Sequence, residues 1–211
     1  DVTRQSTSMR PPWEMDDIQI VAWQESCRAG CESERLFGVF AGKAYIDCLR
    51  NCDKYAATPY KGKTRRIPPH PMESRVNCGC QDKKERETGS RSTTPFPDDT
   101  TNLMVGTYDI VPVPGPGQFV TIGGAASCAL VVVKCDNGVT RMHFGPLSST
   151  GVIGLIKWGT NCRAIVCGGD NGTQSNCLHT DVILSLKEAG ISVDRVSLSD
   201  ECGINGDGSW L

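Results

Sequence analysis

Cys128 and His143 carry the chemistry most readily read from this chain. A thiol beside an imidazole is the simplest route to a thiolate near neutral pH, and a thiolate attacks carbonyl carbon. Cys128 closes the small-residue run Gly123-Gly124-Ala125-Ala126-Ser127, which lets a substrate backbone approach closely. Fifteen positions later comes His143, between Met142 and Phe144. An apolar β-branched run over 129–133, the turn Asp136-Asn137-Gly138 and a second short strand separate the two residues. That is the pattern of a hairpin, and it brings both side chains together. The other histidines are weaker candidates. His70 lies between prolines, and His179 falls at the start of a predicted helix, where it caps or is exposed.

The elements that must position the pair lie in residues 103–211, which read as one compact α+β domain. Strands are expected over 104–113, over 119–122, around Cys128 and His143, over 163–167 and over 191–198. Residues 152–158 are apolar and fit either helix or strand. Leu178, Val182, Ile183, Leu186 and Ala189 recur at helical spacing, predicting a helix over 177–189 that stops at Gly190. A glycine-rich hairpin over 203–208 closes the chain.

The 211 residues allow one sizeable core plus a smaller appendage. A net charge of −2 gives no global field toward nucleic acid or membrane, and no apolar run reaches membrane-spanning length. The chain begins at Asp1 without a methionine, which reads as a mature or trimmed piece of something longer. Twelve cysteines suggest an oxidising compartment, metal or cysteine chemistry. Residues 1–57 read as a loose polar tail followed by a helical hairpin. Ile18, Val21, Ala22 and Glu25 start one helical period; Ala44, Ile46, Leu49 and Ala56 mark a second. Cys27 and Cys31 are four apart, as are Cys48 and Cys52, so each pair shares a helix face. On antiparallel helices the natural pairing is Cys27 with Cys52 and Cys31 with Cys48; a zinc site from the same four thiols is the rival. Residues 58–102 read as a proline-rich charged linker. Its basic cluster, Lys61, Lys63, Arg65 and Arg66, is expected to be solvated, and Cys78 and Cys80 are expected to pair elsewhere or stay free.

Val120-Thr121-Ile122-Gly123 through Ser127-Cys128, then Met142-His143-Phe144 with Pro146-Leu147, resembles the CheD family of chemotaxis receptor deamidases. There a V-T-L-G…G-S-C turn carries the nucleophile and M-x-H-x-x-L-P carries the base. Ala164-Ile165-Val166-Cys167-Gly168-Gly169 is similar to the family's strand ending in a Gly-Gly turn. The helix ending at Gly190 and the glycine-rich close follow in the family's order, so the likeness spans about residues 105–211. The family shares its Cys-His site with the cytotoxic necrotizing factor toxins, which are glutamine deamidases. The turn here is one residue longer than the family's.

The resemblance implies a mixed β-sheet core of the CheD and necrotizing-factor kind with flanking helices, preceded here by the stapled hairpin. It implies Cys128 as nucleophile, His143 as base and Thr121 as the orienting group. The backbone N–H of Cys128 and a neighbouring N–H of the turn through Gly124, Ala126 and Ser127 would hold the oxyanion. No metal or organic cofactor is required. The expected partner is a protein presenting a glutamine side chain, with an immunity or carrier protein as a second partner, and neither nucleic acid nor a membrane span. The cysteine-rich first hundred residues look like the layout of a secreted bacterial effector or toxin delivered into a target cell. Rival readings are a cysteine protease or transglutaminase using the same pair, and a non-enzymatic, disulfide-rich secreted binding module.

Overall fold

The computed structural model describes residues 17–56, 59–60, 64–69, 88–89, 95–98, 100–146, 148–170 and 172–211. The tail over 1–16, His70, the Cys78-Gly79-Cys80 motif and the charged run over 83–87 lie outside the described residues.

Helices α1 (Asp17–Leu36) and α2 (Lys43–Ala56) form the expected hairpin. Disulfides join Cys27 to Cys52 and Cys31 to Cys48, with Cα separations of 5.8 and 5.9 Å. The buried stripe of α1 differs in phase from the expected one. Ala22 and Glu25 are exposed. Instead Ile20 packs with Ala56, and Gln24 Nε2 and Arg28 Nη2 both donate to Asp53 Oδ1 at 2.6 Å. The cysteines set the phase, and Asp53 lets polar Gln24 and Arg28 share their face. On α2, Ile46 is likewise exposed.

The main sheet has seven strands in the order β1-β2-β3-β6-β5-β7-β8. They are β1 (Pro59–Tyr60), β2 (Thr64–Arg66), β3 (Thr107–Val111), β5 (Ala129–Cys135), β6 (Gly138–Phe144), β7 (Arg163–Gly168) and β8 (Ser192–Val196). All neighbours are antiparallel except β7 and β8, which are parallel and joined by helix α3 (Thr173–Glu188), so the fold is α+β with a mixed sheet. A separate ribbon pairs β4 (Phe119–Gly123) with β9 (Glu201–Asn205).

Strand alternation sorts the core into two faces. On one, Ala129, Val131, Val133, Met142, Phe144 and Val166 pack against Leu178, Val182 and Leu186 of α3. On the other, Leu130, Val132, Val139, Ile165 and Cys167 pack against Val120, Ile122, Cys202 and Ile204 of the ribbon. The result is helix, sheet and ribbon in three layers.

Several expectations are corrected. The described parts of the 58–102 stretch belong to the domain: β1 and β2 extend the sheet at β3, and Ile67 enters the core. Thr88 bridges to Val196, and Asn102 to Gly123. Arg66, expected in a solvated run, is only 2% exposed. Residues 150–154 form a short 3-10 helix capped by Ser149, in place of a regular helix or strand over 152–158. Helix α3 starts four residues before the expected Cys177. The closing turn does fold back, with Ile204 bridged to Trp210, but the principal partner of β9 is β4.

Candidate active site

Strands β5 and β6 meet through the two-residue turn Asp136-Asn137, in the register Leu130 opposite His143 and Cys135 opposite Gly138. Asp136 accepts hydrogen bonds from Thr160 Oγ1 at 3.0 Å and Asn161 Nδ2 at 2.7 Å, which hold its carboxyl below the usual range. The Cys135–Cys162 disulfide ties the same end of the hairpin to the approach to β7. This end is fixed, and the opposite end carries the candidate site.

Cys128 precedes β5 and packs with the ribbon-side cluster that contains Leu130. His143 lies directly opposite Leu130, so it faces the same side. Leu130 is also opposite Cys167 of β7, so His143, Leu130 and Cys167 form one cross-sheet row with Cys128 just beyond it. Gly124 and Ala126 in the preceding turn are exposed, while Ser127 and Cys128 are half-buried. The sulfur therefore sits at the rim of the sheet, within reach of a protein side chain. Among the described residues Cys128 is the free thiol.

His143 is 2% exposed, and its Nδ1 lies 2.8 Å from the carbonyl oxygen of Leu103. A carbonyl only accepts, so Nδ1 carries the hydrogen and the lone pair is on Nε2. Nε2 is buried and has no hydrogen-bond partner among the described residues. Burial pushes the imidazole below its ordinary pKa, against the opposing pull of the Leu103 carbonyl. Burial also pushes the Cys128 thiol up; a hydrogen bond from Ser127 opposes this and the Asp170 carboxylate adds to it. Burial thus favours a neutral thiol and a neutral imidazole at rest.

Thr121 is on β4, with its carbonyl accepting from Arg141 Nη1 at 3.0 Å and its hydroxyl accepting from the Thr101 N–H at 3.4 Å. The orienting bond to the imidazole comes from Leu103 rather than Thr121. In the turn, the Ala125 N–H donates to the carbonyl of Asp200. That leaves Ala126, Ser127 and Cys128 as the nearer donors for an oxyanion. Gly124 faces Asn102, whose Oδ1 would lie 3.2 Å from an added Cβ.

Two contributors were missed at the sequence level. A backbone carbonyl such as that of Leu103 has no sequence signature. His179 was read as a capping or exposed residue, but it is fully buried on α3, with Nε2 3.4 Å from the Cys128 carbonyl. The Gly168-Gly169 turn makes that approach possible. Both residues have φ near +85°, and an added Cβ would lie 2.7 Å from the Cys128 carbonyl at Gly168 and 2.5 Å from His179 Nε2 at Gly169. The pair of glycines was the available signal: something bulky had to pack over it.

A cleft of about 620 Å³ opens on the ribbon side, lined by Pro112, Pro114, Phe119, Thr121 and Arg141 among others; neither Cys128 nor His143 is in its lining. Arg141, two residues before His143, is locked to Asp109 by bonds of 2.6 and 3.0 Å. Among the described residues no group of histidines, cysteines and acids could hold a metal ion, and the four hairpin cysteines are spent in disulfides. Comparison of the chain with protein-family models gives no match, and neither does comparison with curated proteins.

Proposed function

We propose that this chain is a protein glutamine deamidase with Cys128 as nucleophile and His143 as base, acting as a secreted bacterial effector or toxin domain. The observation that carries the reading is the buried, unpartnered Nε2 of His143, on the same sheet face as the free thiol of Cys128. An acceptor nitrogen without a donor is costly to bury, and an incoming thiol proton satisfies it.

The Cys128 sulfur attacks the amide carbon as its proton passes to His143 Nε2. The Leu103 carbonyl then steadies the imidazolium through Nδ1–H. N–H groups of Cys128 and of Ala126 or Ser127 hold the oxyanion, each such donor contributing about 3 kcal/mol. His143 returns the proton to the departing ammonia. Water, deprotonated by His143, cleaves the thioester to leave glutamate and the free thiol. The turn has the exposure that a protein-borne glutamine requires, and the four disulfides formed between described residues suit an extracytoplasmic life.

The test is intact mass of candidate target proteins after incubation, read alongside ammonia. Deamidation adds about one dalton per site, the amide-to-acid difference of this acyl chemistry. Cys128→Ala should abolish both signals while keeping the thermal transition. Ammonia release that persists in Cys128→Ala would sink the assignment. New peptide termini would identify a protease instead, and incorporation of an added primary amine a transglutaminase.

A further inference from the structure

The loop between α1 and α2 is built unlike the rest of the surface. Residues 36–42 read Leu-Phe-Gly-Val-Phe-Ala-Gly, seven positions without a charge, between Arg35 and Lys43. Phe37 at 83%, Leu36 at 72% and Val39 at 62% are the most exposed large apolar side chains among the described residues, and Ile46 at 48% adjoins them on α2. Exposed apolar side chains scattered singly need no explanation, but a contiguous group marks a site of association.

Three further observations say what kind. The loop is a convex tip, held by the Cys31–Cys48 staple a few residues below it, so it offers a knob and not a groove. Four of its backbone donors are already used: the N–H of Phe37 donates to Ser33, that of Gly38 to Arg35, and those of Val39 and Phe40 both to Glu34, at 2.9–3.2 Å. Each donor so used lowers the cost of taking the loop out of water. Finally, the base of the tip has the chemistry of a bilayer interface. Tyr45 is half-buried there beneath the Arg35 guanidinium, 5.4 Å from the ring centroid. Glu32 neutralises Arg35, and Lys43 is exposed and faces outward as a cation. Aromatic rings and lysines collect at the headgroup level of membranes.

We propose that this tip is a membrane-interface anchor: Leu36, Phe37, Val39 and Phe40 enter the headgroup–acyl boundary of a lipid bilayer, with Tyr45 and Lys43 at the phosphates. The apolar side chains dominate, because the charges at the base, Glu32 and Glu34 against Arg35 and Lys43, cancel. Binding should therefore occur on zwitterionic vesicles, improve less than tenfold when a quarter of the lipid is anionic, and vary little with salt.

Flotation of the full, disulfide-intact chain with phosphatidylcholine vesicles, with and without phosphatidylglycerol, tests this. The chain should float with vesicles, and Phe37→Ser with Val39→Ser should cut the bound fraction at least tenfold while leaving the thermal transition unchanged. Phe37→Trp supplies a second reading: its emission should shift to the blue on vesicle addition and be quenched by brominated acyl chains. A chain that stays in the aqueous fraction overturns the proposal, as does a double variant that floats equally well. Concentration-dependent dimers that vanish in the double variant, without vesicle binding, would make a second copy the occupant and overturn it as well.

Discussion

Protonation of Nδ1 by default, because a carbonyl can only accept, leaves Nε2 as the nitrogen of His143 able to take a proton. The same burial that empties Nε2 of partners also sets the pH behaviour. The imidazole remains neutral, and so able to take a proton, to below the 6.5 of a free imidazole, and the thiol remains protonated to above the 9.0 of a free thiol. A plot of kcat/KM against pH should therefore be flat at least across that interval, with its acid limb below it and its alkaline limb above. An acid limb at or above 6.5 would show that the lowered imidazole is not the base. Iodoacetamide should label Cys128 slowly at neutral pH and faster as pH rises. Stability follows with a definite sign. The unfolded histidine takes up its proton first as pH falls, so the contribution from neutral His143 is complete above 6.5 and is lost as pH drops through the lower folded value. A denaturant midpoint measured across mildly acidic pH checks this.

At the scale of elements, the site depends on how β3, β6 and α3 hold their neighbours. Asp109 on β3 sits opposite Arg141 on β6, and both side chains are mostly buried, at 13% and 11% exposure. Arg141→Met leaves Asp109 buried and unpaired, which should cost about 3–5 kcal/mol. Asp109→Leu in the same chain should recover much of that, as chemical denaturation would report. In the turn between β7 and α3, Gly169→Ala must accept a positive φ and collide with His179, at a cost on the order of 1–3 kcal/mol. It should lower activity with it, since His179 lies against the Cys128 carbonyl.

These elements also show what a sequence discloses. The β5–β6 hairpin was legible because β-branched runs and a turn signal are local. The helical hairpin was legible because four cysteines at two i,i+4 spacings admit few pairings. The phase of α1 was not, because Gln24 is buried and Arg28 half-buried only through Asp53, on a different helix. Arg66 was misread for the same reason: its neighbourhood is tertiary. Thr121 was placed by analogy, and the carbonyl that holds the imidazole, that of Leu103, carries no side-chain signature.

At the scale of the molecule, oxidised cysteines tie together parts that hydrophobic burial alone would leave independent. The two staples make α1 and α2 one rigid unit, and Ile20 and Val21 of that unit share an apolar cleft with Ile67, Val105 and Pro146 of the domain. Each disulfide contributes about 2–4 kcal/mol, chiefly by restricting the unfolded chain. Reductant should therefore lower Tm by well over ten degrees, and calorimetry with and without dithiothreitol would measure it. No described helix is long and apolar enough to cross a membrane.

Cys128 shares its apolar cluster with Cys167 and Cys202, which are bonded to each other. Three sulfurs in one cluster admit three isomers during oxidative folding, and in two of them the proposed nucleophile is tied up. Under the proposed function, maturation meters catalysis: each molecule trapped in a wrong linkage is folded mass without turnover. Across preparations refolded at different redox poise, the rate of ammonia release should rise in proportion to the share of Cys128 recovered as its alkylated peptide, on a line through the origin.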